Sequence, residues 1–394
     1  MNNFSKSLKT ELTENILPFW MDNMVDPRGG FYGRMDGRCT LEADAPKGAI
    51  LNARILWTFA SAYRVIGDPR YLETAVRAKE YILEHFVDKE FGGAYWSLNA
   101  DGSVCDSKKQ FYAIAFIVYG MSELYRASGD QQALDCAIEL YKSIEEHSRD
   151  LQKAGYIEAC TRDWQPIEDM RLSEKDRNDA KTMNTHLHIL EGYTSLYRVW
   201  KDEGLGKALE DLIVVFLERI DQPDGHLGLF FDEDWNLTSK MFSYGHDIEA
   251  SWLLCEAAEV LGNEQLLQRV KAESTKMANA AADGFTDLGG MIYEYDPESG
   301  HADNDRHWWV QAESVVGFYN QFQLSGEEMW RERSILSWAF IHKYIVAPNG
   351  EWYWSAVPVG TNDFRPNTTD DRAGFWKCPY HNGRMCMEII ERVK

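Results

Sequence analysis

The stretch Phe242-Ser-Tyr-Gly-His-Asp-Ile-Glu-Ala-Ser-Trp252 begins a helix that is apolar on nearly every side. The apolar pattern continues through Leu253, Leu254, Ala257, Ala258 and Leu261 to Gly262. A helix without a polar face is enclosed by protein. His246 and Glu249 are three residues apart near its start, so we expect them side by side on one face, partly removed from water. Such a contact is more often structural than catalytic, so these two residues alone do not assign a function.

Short motifs of glycine followed by aromatic residues recur along the chain at intervals of about 60 residues, the self-similarity that indicates a repeat architecture. They are Gly29-Gly-Phe-Tyr32, Gly92-Gly-Ala-Tyr-Trp96, Gly155-Tyr156, Gly228-Leu-Phe-Phe231, Gly289-Gly-Met-Ile-Tyr293 and Gly350-Glu-Trp-Tyr-Trp354. Each motif predicts a tight turn that leads into a short extended piece. Two helical patterns lie between successive motifs.

The two helical patterns of each unit differ in polarity. Half-polar helices are predicted at Phe4–Met24, Tyr71–Val87, Gln131–His147, Gly206–Ile220, Asn263–Ala280 and Glu327–Val346. Helices that are apolar nearly all round are predicted at Ile50–Ile66, Gln110–Ala127, Thr182–Trp200, Ser243–Leu261 and Trp308–Leu324, with a shorter one at Pro379–Arg392. Since a half-polar helix meets water on one face and an apolar helix does not, the two sets indicate an outer and an inner layer.

This alternation predicts an (α/α)6 barrel of twelve helices in two concentric layers, with short β-pieces in the long connections. Several inner helices are expected to close with glycine, the residue preferred where a chain leaves a helix with positive φ: Gly67, Gly129, Gly204, Gly262 and Gly326. An open α-solenoid explains the period equally well, but both terminal helices lack the polar outer face that a solenoid cap needs. We therefore expect residues 1–394 to form one catalytic domain.

The composition excludes several classes of partner. The net charge of −22 argues against nucleic acid and anionic membranes, which attract basic surfaces. Seven scattered cysteines without a C-x-x-C pair are typical of a reducing compartment. The first residues resemble no signal peptide, and no apolar run approaches the roughly 18 residues of a membrane helix. These features predict a soluble cytoplasmic protein with a neutral or cationic ligand.

In a barrel of this kind the equivalent ends of the inner helices meet at one mouth. Polar and aromatic residues near the starts of the inner helices therefore become neighbours: Arg54, Tyr112, Asn184, His188, His246, Glu249, Trp309, Glu313, Trp376 and His381. Taken singly, a buried Arg, Tyr or Trp usually serves the core. Together they describe a cavity with three imidazoles, two carboxylates that can orient them, one guanidinium and large aromatic rings.

The motifs of several other chemistries are missing from the sequence. His186 and His188 point to different sides of a helix, and no convincing metal-ligand spacing occurs, so no metal is expected. Neither a Walker-type phosphate loop nor a G-x-S-x-G motif is present. Glycoside hydrolysis calls for a pair of carboxylates, whereas imidazoles suit proton transfer next to a carbonyl. Arg54 could stabilise the resulting enediolate, and sugar rings could stack on Trp309 and Trp376.

With these residues in hand, the chain resembles the N-acylglucosamine 2-epimerase superfamily, and within it the members that act on disaccharides. Six blocks in the same order carry the resemblance: Gly29–Gly33, Lys47–Phe59, Met183–Glu191, Tyr244–Trp252, Trp308–Glu313 and Gly374–Arg384. The resemblance covers essentially the whole chain. It implies a cofactor-independent (α/α)6 enzyme, a monomer or weak homodimer, that interconverts cellobiose with glucosyl-mannose and lactose with epilactose.

The resemblance also implies roles for individual residues. His246 and His381 would be the acid and base that move the C2 proton through a cis-enediol, with Glu249 and Glu313 as their partners. His188 would assist ring opening. Arg54 and Tyr112 would hold the C1 and C2 oxygens, and Asn184 would steady the intermediate. The expected substrate contacts are Trp309, Trp376, Trp308, Trp252 and, in the long connection, Asp176.

Four alternatives stay open from the sequence. The nearest is an aldose–ketose isomerase acting on mannose or a related sugar, since the same enediol reprotonated at C1 gives a ketose. N-acylglucosamine epimerisation, an inverting glycoside hydrolase and a non-enzymatic sugar-binding scaffold are the others. The charge-rich segment Arg162–Lys181 interrupts the repeat and is either a lid over the site or a solvated loop.

Overall fold

The computed structural model describes residues 3–360 and 362–393, and this part of the chain folds into thirteen α-helices. In chain order they are α1 (Asn3–Thr10), α2 (Leu17–Asn23), α3 (Ala49–Ile66), α4 (Pro69–Tyr81), α5 (Phe111–Ser128), α6 (Gln131–His147), α7 (Met183–Val199), α8 (Glu203–Val215), α9 (Tyr244–Leu261), α10 (Glu264–Ala281), α11 (Trp308–Ser325), α12 (Glu328–Tyr344) and α13 (Tyr380–Arg392). A π-helical turn, Glu11–Ile16, joins α1 to α2, so the two act as one outer helix. Similar turns extend α4 over Ile82–Phe86 and α8 over Phe216–Ile220.

The odd-numbered helices from α3 to α13 form a closed inner ring. Each packs against the next one in the series, and α13 packs back against α3. An open solenoid would leave the first and last repeats apart, so this contact confirms the (α/α)6 barrel. None of the described helices is both long enough and apolar enough to cross a membrane.

Burial separates the two layers as the sequence predicts. In α5, every residue from Phe111 to Leu124 is buried. In α6, the buried residues recur at helical spacing, with charged residues between them: Ala133, Leu134, Cys136, Ala137, Leu140, Tyr141 and Ile144. One apolar face therefore holds each outer helix against the ring, whereas the inner helices contribute to the core on all sides.

Short connections join each inner helix to the following outer helix. Gly67, Gly129, Gly262 and Gly326 end their helices with φ between 74° and 87°, a conformation that costs glycine little. The expectation for Gly204 was wrong: α7 ends at Val199, and Gly204 lies in the first turn of α8. That turn begins at Asp202, whose carboxylate accepts a hydrogen bond from the amide of Leu205.

Long connections at the opposite end contain the predicted β-pieces. The described strands are β1 (Lys47–Gly48), β2 (Ser97–Leu98), β3 (Val104–Asp106), β4 (Lys109–Gln110), β5 (Ala159–Cys160), β6 (Lys181–Thr182), β7 (Phe230–Phe231), β8 (Phe242–Ser243), β9 (Glu294–Asp296), β10 (His301–Asp303), β11 (Arg306–His307), β12 (Ser355–Pro358) and β13 (Phe364–Pro366). They form small antiparallel sheets in the orders β1-β2-β3, β4-β5, β6-β7, β8-β9-β10 and β11-β12-β13. A two-residue strand thus leads directly into each of α3, α5, α7, α9 and α11, and it pairs with a strand of the next long connection.

A buried ion pair repeats beneath three of these strands, and we call it the lysine clasp. In each clasp, a lysine two residues before an inner helix binds a carboxylate and a carbonyl oxygen of the preceding turn. The three clasps are Lys47 with Asp26 and Gly29, Lys109 with Asp88 and Gly92, and Lys181 with Asp150 and Ala154, with Nζ to oxygen distances of 2.7–2.9 Å. The clasps fix the turns against the helix starts.

Candidate functional site

The first two turns of the inner helices bring the candidate side chains to one end of the barrel. Arg54, His188 and Glu313 are each the sixth residue of their helix, while His246 and His381 lie in the first turn of theirs. His188 is 3% exposed and His381 is 5% exposed, so both imidazoles are largely removed from water. The ring closure described above is what makes residues so distant in sequence into neighbours.

His381 lies beside two carboxylates from different helices. Its Nδ1 donates to Glu313 Oε1 at 2.7 Å and lies 3.9 Å from Glu249 Oε1. Burial lowers the pKa of His381 well below the usual histidine value, and the Arg54 and Arg384 charges lower it further. Burial also raises the pKa of Glu249, to about 8, with the neighbouring Glu313 carboxylate as the next cause. Glu249 therefore still carries a proton near His381 at neutral pH.

Arg384 lies at the centre of this cluster and was missed in the sequence. Its Nη2 donates to Glu249 Oε1 at 2.6 Å and to Glu313 Oε1 at 2.7 Å, and its Nη1 donates to Glu191. The side chain is 1% exposed. Its position three residues after His381 on a buried helix was the available signal, since that spacing places both on one face. One guanidinium thus binds carboxyl groups from three helices.

His188 has a carboxylate partner that the sequence reasoning also missed. Its Nδ1 donates to Glu191 Oε2 at 2.9 Å, and the Tyr380 hydroxyl donates to the other oxygen of the same carboxylate. Burial alone would raise the pKa of Glu191, but the Arg384 charge and the His188 hydrogen bond lower it overall. Glu191 is therefore ionised at neutral pH and fixes the orientation of the His188 ring.

No hydrogen bond or ion pair joins His246 to Glu249, so the prediction that Glu249 is the partner of His246 is wrong. Glu249 is held by Arg384, and Nδ1 of His246 is buried without a hydrogen-bond partner among the described residues. The imidazole instead packs on Trp309 with ring centroids 4.7 Å apart. Burial and the nearby His188 lower the pKa of His246 to about 3. The ring is neutral at physiological pH and can accept a proton.

Arg54 and Tyr112 form one unit at the mouth. Arg54 Nη2 donates to the Tyr112 hydroxyl at 2.8 Å, and its guanidinium lies 4.2 Å from the centre of the Phe116 ring. Its Nη1 donates to the carbonyl oxygen of Trp376 at 3.4 Å. No carboxylate pairs with Arg54 among the described ion pairs, so its charge is available to an oxygen of a bound molecule.

The tryptophans divide into two groups. Trp309 and Trp376 are half-buried, as substrate-stacking rings must be. Trp252 is 1% exposed and its Nε1 donates to Glu313 Oε2 at 3.0 Å, so it holds that carboxylate, and its role as a substrate contact stays a prediction. Trp308 is 3% exposed and packs on Trp354 with ring centroids 4.5 Å apart, and its role as a substrate contact likewise stays a prediction. Their spacing along the helices did not reveal which of them face the core.

The two remaining predicted substrate contacts are Asn184 and Asp176. Asn184 is in the first turn of α7, and its Oδ1 is buried without a partner among the described residues, so it can accept from a bound hydroxyl. Asp176 accepts from the amide and hydroxyl of Ser173 at 2.9 and 2.8 Å. Its charge also acts on Tyr293 and Glu294 of a different connection. Asp176 therefore lies in the neighbourhood of the connection between α10 and α11.

Residues 162–181 are tied to the start of α5. Lys108 Nζ donates to the carbonyl of Arg171 at 3.2 Å, and Gln110 Nε2 donates to that of Met170 at the same distance. Within the segment, Asn178 Nδ2 donates to Glu168 O at 2.7 Å. These bonds hold the segment beside the start of α5, and its role as a lid stays a prediction.

The ligand atoms of Glu249, Glu313 and His381 lie within 4.8 Å of one another, a spacing that could hold a metal ion. The geometry does not favour one. Arg384 already donates to both carboxylates, and Glu249 has a pKa raised to about 8, whereas metal ligands must be deprotonated. The donor set fits a guanidinium better than a metal ion.

Comparison with known proteins agrees with this geometry. Residues 30–365 match the N-acylglucosamine 2-epimerase (GlcNAc 2-epimerase) family. The chain is 55% identical to the cellobiose 2-epimerase of Bacteroides fragilis and 40% identical to that of Ruminococcus albus, in both cases over 388 residues and 98% of either chain. The solved cellobiose 2-epimerase of Bacillus thermoamylovorans superposes with a TM-score of 0.94 at 39% identity, covering 100% of both chains.

A closed helical barrel with this site and these relatives is an enzyme that acts on carbohydrates. The chain belongs to the N-acylglucosamine 2-epimerase family.

Proposed function

We propose that the protein is a cellobiose 2-epimerase, which inverts C2 of the reducing-end glucose of β-1,4-linked disaccharides. Cellobiose would give glucosyl-mannose, and lactose would give epilactose. The activity after which the relatives are named supports this reaction. The observation that carries it is the position of Trp309, whose ring centroid lies 4.7 Å from that of His246 and 5.7 Å from that of His381. A sugar held at this indole has imidazoles from two helices within reach.

The reaction requires a proton to leave C2 and return on the opposite face. In the open-chain aldehyde, the C2–H bond breaks and its electron pair forms the C1=C2 bond of a cis-enediol, while the carbonyl oxygen gains a proton. Arg54 and Tyr112 would stabilise the charge that develops on the C1 and C2 oxygens. His188, fixed by Glu191, would move the proton that opens and closes the sugar ring.

The imidazoles of His246 and His381 are suited to opposite halves of the proton transfer at C2. His246 is neutral because its pKa is lowered to about 3, so it acts as the base for one epimer. His381 lies 3.9 Å from the Glu249 carboxyl, which still carries a proton at neutral pH because its pKa is raised to about 8. His381 with its carboxylates therefore supplies the proton on the other face, and the roles exchange in the reverse direction.

The remaining parts of the proposal concern the molecule as a whole. We propose that residues 1–394 act as one catalytic domain without a metal or other cofactor, in the cytoplasm, as a monomer or weak homodimer. The net charge of −22 supports a neutral sugar as ligand in place of nucleic acid or an anionic membrane. Asn184, Asp176, Trp309 and Trp376 would contact that sugar.

Product analysis tests the proposed reaction. The protein is incubated with cellobiose, and the products are separated by anion-exchange chromatography. Glucosyl-mannose as the main product supports epimerisation, and its loss in His246→Ala and His381→Ala supports the assigned histidines. A ketose product would identify an aldose–ketose isomerase, and free glucose would identify a hydrolase. A chain that converts no β-1,4-disaccharide would contradict the proposal.

A further inference from the structure

Glu351 occupies an unusual position in the turn before β12. Its side chain is fully buried, and its φ of 58° lies in the left-handed region that residues other than glycine rarely adopt. A buried carboxylate in that conformation persists only where the surrounding contacts determine it strongly. The contacts of Glu351 are therefore informative.

Both oxygens of this carboxylate are used. Glu351 Oε1 accepts from Lys377 Nζ and from Asn382 Nδ2, each at 2.6 Å, and from the amide of Trp352 at 3.0 Å. Glu351 Oε2 accepts from Trp20 Nε1 at 2.7 Å. These donors come from the first outer helix, the last long connection and the last inner helix. Glu351 thus joins the two ends of the chain where the ring closes.

Two of the donors are next to site residues in the sequence. Lys377 follows Trp376, and Asn382 follows His381. One oxygen of Glu351 therefore fixes the backbone beside a candidate stacking ring and beside a candidate acid or base. The Lys377 ammonium also lies 5.3 Å from the centre of the ring of Trp308, another predicted substrate contact.

The start of α13 needs such an anchor. Each of the other five inner helices follows directly on a two-residue strand that pairs with a neighbouring connection, whereas no described strand leads into α13. The Lys377–Glu351 pair resembles a lysine clasp, with a carboxylate from the preceding turn, and Asn382 is an addition. The contacts of Glu351 with Lys377 and Asn382 therefore tether the start of α13, where no described strand does so, and Asn382 is adjacent to His381.

We propose that Glu351 is a positioning residue, which sets the placement of His381 through Asn382 and of Trp376 through Lys377. The inference rests on the proposed epimerisation for its kinetic consequences, but the placement of the His381 ring can be measured without turnover. Loss of the carboxylate leaves Lys377, itself 0% exposed, as a buried cation without its counter-charge. The start of α13 then loses both tethers at once.

Two variants and one matched control test this role. Glu351→Gln removes the charge, and Asn382→Ala removes only the bond next to His381. Asp26→Asn is the control, because Asp26 is equally buried and forms a lysine clasp at 2.7 Å beneath a different helix. For each protein, kcat and KM on cellobiose, the melting temperature, and the ¹⁵N resonances of the histidine rings are measured, with His381 assigned from His381→Ala.

The expected results differ between the variants and the control. Glu351→Gln and Asn382→Ala should shift the His381 ring resonances and lower kcat at least tenfold, and Asn382→Ala should leave KM within about twofold. Asp26→Asn should lower the melting temperature and leave both the resonances and kcat unchanged. Wild-type resonances and kcat in both variants, with only the melting temperature lowered, would overturn the proposal.

Two further outcomes are also decisive. If Glu351→Gln does not accumulate as folded protein, the Asn382→Ala results decide, because that change leaves the Lys377 pair in place. If the unaltered protein converts no disaccharide, the proposed function fails. In that case the His381 resonances of the two variants still support or refute the positioning role.

Discussion

Removing the guanidinium of Arg384 should destabilise the barrel strongly and in a pH-dependent way. Arg384→Met keeps most of the side-chain volume but leaves Glu191, Glu249 and Glu313 buried without their common cation. Breaking a buried ion pair by removing one partner typically costs about 3–5 kcal/mol, and we expect a loss of that size near neutral pH. The measurement is urea unfolding followed by circular dichroism.

The sign of the pH dependence follows from Glu191. In the intact protein Arg384 helps to lower the pKa of Glu191 below its usual 4.5, whereas burial without Arg384 raises it. A carboxyl whose folded pKa is raised keeps its proton while the unfolded chain ionises, so stability falls as pH rises above about 4.5, by about 1.4 kcal/mol per pH unit for each proton retained. The loss caused by Arg384→Met should therefore be larger at pH 8 than at pH 5.5.

Arg198→Met provides the control for this prediction. Arg198 forms a single ion pair with Glu256 at 2.6 Å, in which the two side chains are 28% and 25% exposed. Because such pairs are screened by solvent, the control should lose only about 1 kcal/mol, with little change between the two pH values. An Arg384→Met loss as small as that of the control, or one that does not grow with pH, would refute the reasoning.

Three other predictions address single contacts. Trp252→Phe removes the indole donor to Glu313 and keeps an aromatic ring, so kcat on cellobiose should fall severalfold with KM nearly unchanged. A raised KM with unchanged kcat would instead indicate that Trp252 contacts the substrate. Burial raises the pKa of Glu158 to about 8, so the free energy of unfolding in urea should fall from pH 5 to pH 8. Glu158→Gln should make that fall shallower, and an equal slope in the variant would show that Glu158 does not cause it. Gly129→Ala places a side chain at a φ of 76°. It should lower the free energy of unfolding in urea by about 1 kcal/mol more than Gly204→Ala, which lies in the first turn of α8. Equal losses in the two variants would contradict this prediction.

The layered barrel was predictable because its evidence is local. The apolar pattern of each inner helix is complete within the helix, and it placed the third apolar helix of the chain at Thr182–Trp200 where the structure has Met183–Val199. The glycine rule failed at Gly204, because a glycine in a first helical turn and one in a final turn look alike when the connection between two helices is very short.

The pairing of charges within the site was less predictable. Helical spacing shows that His246 and Glu249 start from one face, but it does not show which partner each side chain prefers. Arg384, 135 positions away in the sequence, binds Glu249, and that contact exists only because the ring closes. Glu191 was within a recognised block and still missed, because one more polar residue in a buried helix gives no sign of its partner.

The most direct test of the account is the fate of the C2 proton. The protein is incubated with cellobiose in heavy water, and the recovered disaccharides are examined by proton and deuterium NMR. The account predicts deuterium at C2 of the reducing-end sugar in glucosyl-mannose and in recovered cellobiose, with no deuterated glucosyl-mannose formed by His246→Ala or His381→Ala. Epimerisation without deuterium at C2, or undiminished incorporation in both variants, would contradict it.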